Sequence, residues 1–115
     1  MYRNGRILAA LDVLLKARYT DRNLRIESLA ELLEISERQF QRLMRAATGS
    51  SPTAYLREYR LERARELLRD GAGIGDAAHA VGFSSHAYFS CCFKACYGIT
   101  PSQFQTQAGA FVNQS

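Results

Sequence analysis

The sequence predicts an all-α domain of about seven helices, arranged as two similar units joined by a long central helix. Three observations lead there. No stretch alternates apolar and polar residues for the length of a half-buried strand, whereas apolar residues recur with the 3.6-residue period of an amphipathic helix. Helix-start signals punctuate that pattern at Ser36, Ser51-Pro52 and Thr100-Pro101. The order short helix, tight turn, capped helix occurs twice. At 115 residues there is room for one compact domain or two very small subdomains sharing a core, and no more.

A first helix is expected from about Arg6 to Arg18, with Ile7, Leu11, Leu14 and Leu15 on one stripe. Tyr19 to Arg25 is a polar connection. A short second helix from about Ile26 to Leu33 would bury Leu29, Leu32 and Leu33, and Glu34-Ile35 leaves space only for a tight turn. Ser36 and Gln39 have capping-box spacing and start a third helix, whose Phe40, Leu43, Met44 and Ala47 fall on one side and which Gly49 ends. Ser51-Pro52 starts a fourth helix running to about Leu68, about 25 Å long. On it, Arg57, Arg60, Arg63, Glu58, Glu62 and Glu66 suggest i,i+4 surface pairs. Tyr55 and Tyr59 lie four apart and suit packing better than base stacking. A glycine-rich loop over 71–75 leads to a short fifth helix from about Asp76 to Val81 and a turn at Gly82-Phe83. Ser84 or Ser85 caps a sixth helix to Tyr97, with Phe89, Cys92, Phe93 and Cys96 on its core face. Thr100, Pro101 and Gln103 start a short last helix through Phe104, and 106–115 read as a frayed tail. The expected divisions are about 6–49 for the first unit, 51–70 for the linking helix and 74–105 for the second unit.

Charge divides the chain. Residues 1–70 hold 14 Lys+Arg against 10 Asp+Glu, the whole of the net +4, while 71–115 hold one of each sign. Thirteen of the fifteen cations are Arg, the side chain suited to bidentate contacts with phosphate and guanine edges. No apolar run approaches the ~18 residues of a membrane span, and Met1 to Arg6 contains no secretion signal, so a cytoplasmic setting is expected.

The repeat sets Leu29-Ala30-Glu31-Leu32-Leu33-Glu34-Ile35-Ser36 against Ala77-Ala78-His79-Ala80-Val81-Gly82-Phe83-Ser84, with Phe40 and Phe89 following as aromatic anchors. This is helix-turn-helix spacing, in which the second helix of each pair enters the DNA major groove. The chain resembles the DNA-binding domain of AraC/XylS-type bacterial transcription regulators. The matching residues include Leu29-Ala30, Ile35-Ser36, Arg42-Leu43, Gly49, Ser51-Pro52, Tyr55-Leu56, Arg60-Leu61, Ala64 and Leu67-Leu68. They continue through Ile74, Ala78, Val81 to Ser85, Tyr88 to Ser90, Phe93-Lys94, Tyr97-Gly98, Thr100-Pro101 and Phe104. The resemblance covers about residues 7–105. It implies sequence-specific binding of double-stranded DNA for transcription control, with no cofactor and no membrane partner. It also implies contact with RNA polymerase and, if this is a piece of a longer regulator, an attached sensing or receiver domain.

On a wheel at about 100° per residue, Arg38, Arg42 and Arg45 cluster on the third helix opposite its apolar side, with Gln41 beside them. These are groups that guanine and adenine edges reward. Glu37 stands at the N-terminal end of this helix. The resemblance places base contacts at Arg38, Gln39, Gln41, Arg42 and Arg45. On the sixth helix it puts base-reader positions at His86, Ala87, Tyr88 and Cys91, with Ser90 also outward and Lys94 as a phosphate contact. The family usually has Arg where Cys91 stands, and often basic residues where Ala95 and Cys96 stand. The second unit is therefore expected to read DNA less than the first. Two such units could reach adjacent major-groove segments from one chain.

Other chemistry is weakly supported. Three cysteines on one helix without a His at ligand spacing make a poor zinc site. The spaced glycines 71, 73 and 75 follow no strand, as a phosphate-binding loop would require. Two His and no convergent carboxylate pair give no enzyme constellation. The alternative from another class is a helical protein-interaction module whose weakly charged second half docks a partner.

Overall fold

The computed structural model describes the backbone of residues 2–114 and the side chains of residues 5–108. Within them lie seven α-helices and no strand: α1 (Tyr2–Arg18), α2 (Ile26–Leu32), α3 (Glu37–Thr48), α4 (Pro52–Arg69), α5 (Ile74–Ala80), α6 (His86–Tyr97) and α7 (Pro101–Gln114). The chain divides into two compact units, Met1–Tyr59 and Arg60–Ser115, with the division inside α4.

In the first unit, Leu11 and Leu15 of α1, Leu29 and Ala30 of α2, Phe40 and Met44 of α3 and Leu56 of α4 form one buried cluster. Leu8, Leu14, Leu24, Ile26, Leu33, Ile35, Tyr55 and Tyr59 pack around it. Tyr55 donates its hydroxyl proton to the Asp12 carboxylate at 3.0 Å, and Tyr59 meets Tyr19 edge-on at 5.5 Å. Partial burial, reinforced by that bond to Asp12, pushes the Tyr55 phenol up to about 12. Both tyrosines thus serve packing, as their spacing suggested.

The α2–α3 turn is tight because Glu34 adopts φ 60°, a left-handed conformation uncommon for a residue with a Cβ. The backbone N–H of Ile35 donates to the Ala30 carbonyl and that of Glu34 to the Glu31 carbonyl, closing the turn. In the second unit Gly82, at φ 95°, fills the equivalent position between α5 and α6 without that cost.

The core of the second unit is aromatic. Phe83, Phe89 and Phe93 are buried. Phe89 meets Phe83 at 5.2 Å and Phe93 at 5.7 Å, and Phe93 also meets Tyr97 at 4.7 Å and Phe104 at 5.8 Å. Leu61, Ala64 and Leu68 of α4 and Ala77, Ala78 and Val81 of the α5 region are buried in the same unit. Small residues on α5 permit its close packing against α6.

The cap signals in the sequence correspond to real caps. Ser36 Oγ accepts the Gln39 backbone N–H at 3.1 Å, Ser51 Oγ accepts that of Ala54 at 3.2 Å, and Ser85 Oγ accepts that of Tyr88 at 3.2 Å. At α7 the capping box is reciprocal. Thr100 Oγ1 accepts from the Gln103 N–H at 3.1 Å, and Gln103 Oε1 accepts from the Thr100 N–H at 2.9 Å.

Several expectations are corrected. α1 begins at Tyr2, not near Arg6, because a single Gly5 weakens a helix without stopping it. α5 begins at Ile74 rather than Asp76, since Gly73 takes the extended N-cap conformation itself. α7 continues to Gln114 instead of ending near Phe104, as no proline interrupts residues 102–114; side chains from 109 onward in the expected tail lie outside the described residues.

Leu32 is 46% exposed, and Ala30 is buried in its stead. α2 turns its Leu29 and Ala30 stripe inward, and the small Ala30 brings that flank close to the core. Ala47 is exposed because a methyl group one turn beyond Met44 reaches no neighbour. Cys96 is exposed because the last turn of α6 packs through Tyr97, whose ring lies against Phe93 and beneath the Arg65 guanidinium at 4.8 Å. On α4, Arg63 meets Glu62 at 3.0 Å and Glu66, three residues on, at 2.9 Å.

Candidate nucleic-acid interface

The rotation of α3 about its axis follows from its sequence. Phe40 and Met44, four residues apart, are buried against the first core, and α3 packs on both α1 and α2. That contact turns Arg38, Gln39, Gln41, Arg42 and Arg45 to the surface, where all five are exposed. Ser36 fixes the start of the helix, and Gly49, left-handed at φ 77°, ends it.

Gln41, Arg42, Arg45 and Ala46 line a shallow, open groove along the exposed face. Ala46 is an addition to the residues expected from the sequence. The helical wheel could have found it, since it falls about 40° from Arg42. Its small side chain leaves the two guanidiniums beside it unobstructed.

The charges on this face are unspent. Among the described residues, no ion pair or hydrogen bond engages the guanidiniums of Arg38, Arg42 or Arg45. Three arginines elsewhere are engaged: Arg25 meets Glu27 at 3.4 Å, Arg63 bridges two glutamates, and Arg65 lies over Tyr97. A face offering some fifteen unsatisfied guanidinium N–H donors suits a polyanion with acceptor-rich edges.

On α6, Phe89 and Phe93 are buried and set the rotation, while Gly98 at φ 81° ends the helix. His86, Ala87, Tyr88, Cys91 and Lys94 are exposed and Ser90 is half-buried. Tyr88 is partly committed to packing, its ring 5.9 Å from that of Phe83 although 53% of the residue is exposed. The outward face of α6 therefore has the disposition expected, with Lys94 its one fixed charge.

Among the described residues no group of three or more His, Cys, Asp or Glu converges on a point that could hold a metal ion. At the spaced glycines, Asp76 Oδ2 lies 3.4 Å from where a Cβ on residue 73 would stand, so a carboxylate already fronts the start of α5. No described helix is long and apolar enough to cross a membrane.

A family model described as a helix-turn-helix domain matches residues 29–107. The chain is similar to the HTH-type transcriptional activator RhaR of Pectobacterium atrosepticum, 39% identical over 82 residues, which cover 70% of this chain and 29% of that protein. It thus spans less than a third of that relative. Among solved structures it is similar to a transcriptional regulator of Chromobacterium violaceum described as AraC-type DNA-binding domain-containing. The identity there is 30% and the TM-score 0.85, with 94% of this chain and 96% of that one covered. It is also similar to the DNA-binding domain of AdpA, a global transcriptional factor crystallised with a target DNA, at 26% identity and a TM-score of 0.85, covering 94% of this chain and 97% of that one.

Proposed function

This chain belongs to the AraC family of helix-turn-helix DNA-binding domains of transcription regulators, and from that premise we propose that α3 enters the major groove and supplies most of its sequence readout. The observation that carries this reading is the set of three exposed guanidiniums on α3, with Gln41 beside them and no partner among the described residues. Arg matches guanine O6 and N7 as a bidentate donor, and Gln matches adenine N6 and N7. The AdpA domain sits on DNA with the same fold, which supports a duplex as the ligand.

Binding proceeds in two physical stages. The cationic first seventy residues draw the domain to phosphate and release counterions, which gives affinity without sequence preference. Contacts to the backbone then fix the register, so that Arg38, Gln39, Gln41, Arg42 and Arg45 meet base edges. The second unit adds a phosphate contact at Lys94 and shorter-range contacts from His86, Ala87, Tyr88, Ser90 and Cys91. RNA polymerase and a sensing or receiver domain are further partners of the regulator to which such a domain belongs, acting in the cytoplasm.

Arg42→Ala tests the proposal. By fluorescence anisotropy on a duplex selected from a random library, the variant should bind about 1–3 kcal/mol more weakly than the parent chain. On random duplex the loss should be small. Equal affinities for variant and parent on both duplexes would remove Arg42, and with it the centre of the face, from base readout.

A further inference from the structure

Glu37 is the one acidic side chain on α3, and it occupies the first helical position after the Ser36 cap. It is exposed, and among the described residues nothing pairs with its carboxylate. The positions where a helical cation would neutralise it hold Phe40 and Gln41, three and four residues on. Glu27, Glu62 and Glu66 each meet an arginine, whereas among the described residues Glu31, Glu34 and Glu58, like Glu37, have no ion-pair partner.

Such a carboxylate conflicts with a face that otherwise attracts phosphate, unless it meets a donor. The major groove exposes two kinds of base donor, the amino groups of cytosine and adenine. Adenine presents its amino group beside the N7 acceptor, which repels a carboxylate; cytosine presents the amino group without one. The N-terminal residues of a recognition helix are among those that reach base edges. Glu37 is in that first turn, one turn before Gln41 on the same flank.

We propose that Glu37 is a base reader that selects a cytosine in the DNA facing the first turn of α3, its carboxylate accepting from the cytosine amino group. This rests on the reading that α3 enters the major groove. The same carboxylate disfavours guanine there, whose edge offers two acceptors, and so contributes specificity more than affinity.

The test is selection from a randomised duplex library with the full 115-residue chain, its Glu37→Ala and Glu37→Gln variants, and Arg42→Ala as a control. The parent should recover a site with one cytosine that Glu37→Ala no longer selects, all other positions being kept. Glu37→Gln, which both donates and accepts, should move that position toward adenine. On the parent's site, replacing the cytosine should weaken the parent roughly tenfold or more and leave Glu37→Ala almost unaffected. If Glu37 only complements the helix dipole, both variants will melt earlier and recover the parent's site unchanged, which overturns the proposal. If Arg42→Ala also recovers the parent's site unchanged, the placement of α3 in the groove fails, and the role of Glu37 fails with it.

Discussion

Truncating Phe89 to alanine removes a fully buried ring that joins Phe83 to Phe93 in the second core. The side chain is fully buried and touches two other rings, Phe83 at 5.2 Å and Phe93 at 5.7 Å. Truncating a buried Phe typically costs about 3–5 kcal/mol through lost transfer energy and the cavity left behind. Within that range each tilted or edge-on ring pair accounts for ~0.5–1.5 kcal/mol beyond area burial, and two such pairs are lost here. The expected loss therefore lies at the upper end, about 4–5 kcal/mol. The unit from Arg60 to Ser115 is small enough for that to consume most of its stability. Urea titration followed by far-ultraviolet circular dichroism should show the helical signal of this unit lost at much lower denaturant. Amide hydrogen exchange along α6 should lose its protection. Phe89→Leu, which keeps much of the volume, should cost clearly less. A midpoint unchanged within error, or equal losses in the two variants, would refute this account of how α6 packs.

Two further outcomes follow from the site and its support. Cys91→Arg places a guanidinium on the outward face of α6, where Lys94 is now the only fixed charge, and should steepen the dependence of log affinity on log salt by about one unit; an unchanged slope would mean that α6 lies away from phosphate. The Tyr55 phenol, raised from 10 to about 12 by burial and by its bond to Asp12, holds its proton more tightly in the folded state. Its contribution to stability is thus complete below pH 10 and is lost as pH rises toward 12. Urea midpoints between pH 8 and 12 should fall less steeply for Tyr55→Phe than for the parent, and parallel curves would contradict the linkage. Tyr97, also raised to about 12, mainly by burial, keeps the variant's curve from becoming flat.

How much of this was legible in the sequence depended on whether a local rule fixed the feature. Ser36, Ser51 and Thr100 announce their helices because a side-chain oxygen three residues from a free N–H is a local matter. The exposure of Arg38, Arg42 and Arg45 was legible because Phe40 and Met44 lie opposite them on the same helix. What failed depended on neighbours. The wheel puts Cys96 close to Phe89, yet Tyr97 takes the contact with Phe93 and leaves the thiol outside. Leu32 and Ala30 sit on opposite flanks of α2, and only the surface of the core decides which is covered. Glu34 was expected in a tight turn, but its left-handed backbone was not legible, because composition there does not favour that conformation.

The three thiols of α6 lie at graded depth, Cys91 and Cys96 exposed and Cys92 half-buried between them. They form a natural clock for the opening of this helix. A small alkylating reagent will consume the outer two first, whereas the half-buried Cys92 reacts more slowly and gains speed whenever α6 lifts from the phenylalanine core. The ratio of these rates, read by mass spectrometry on the unaltered chain, follows the local opening of α6. Bound duplex will slow the clock at Cys91 if it covers that face of α6.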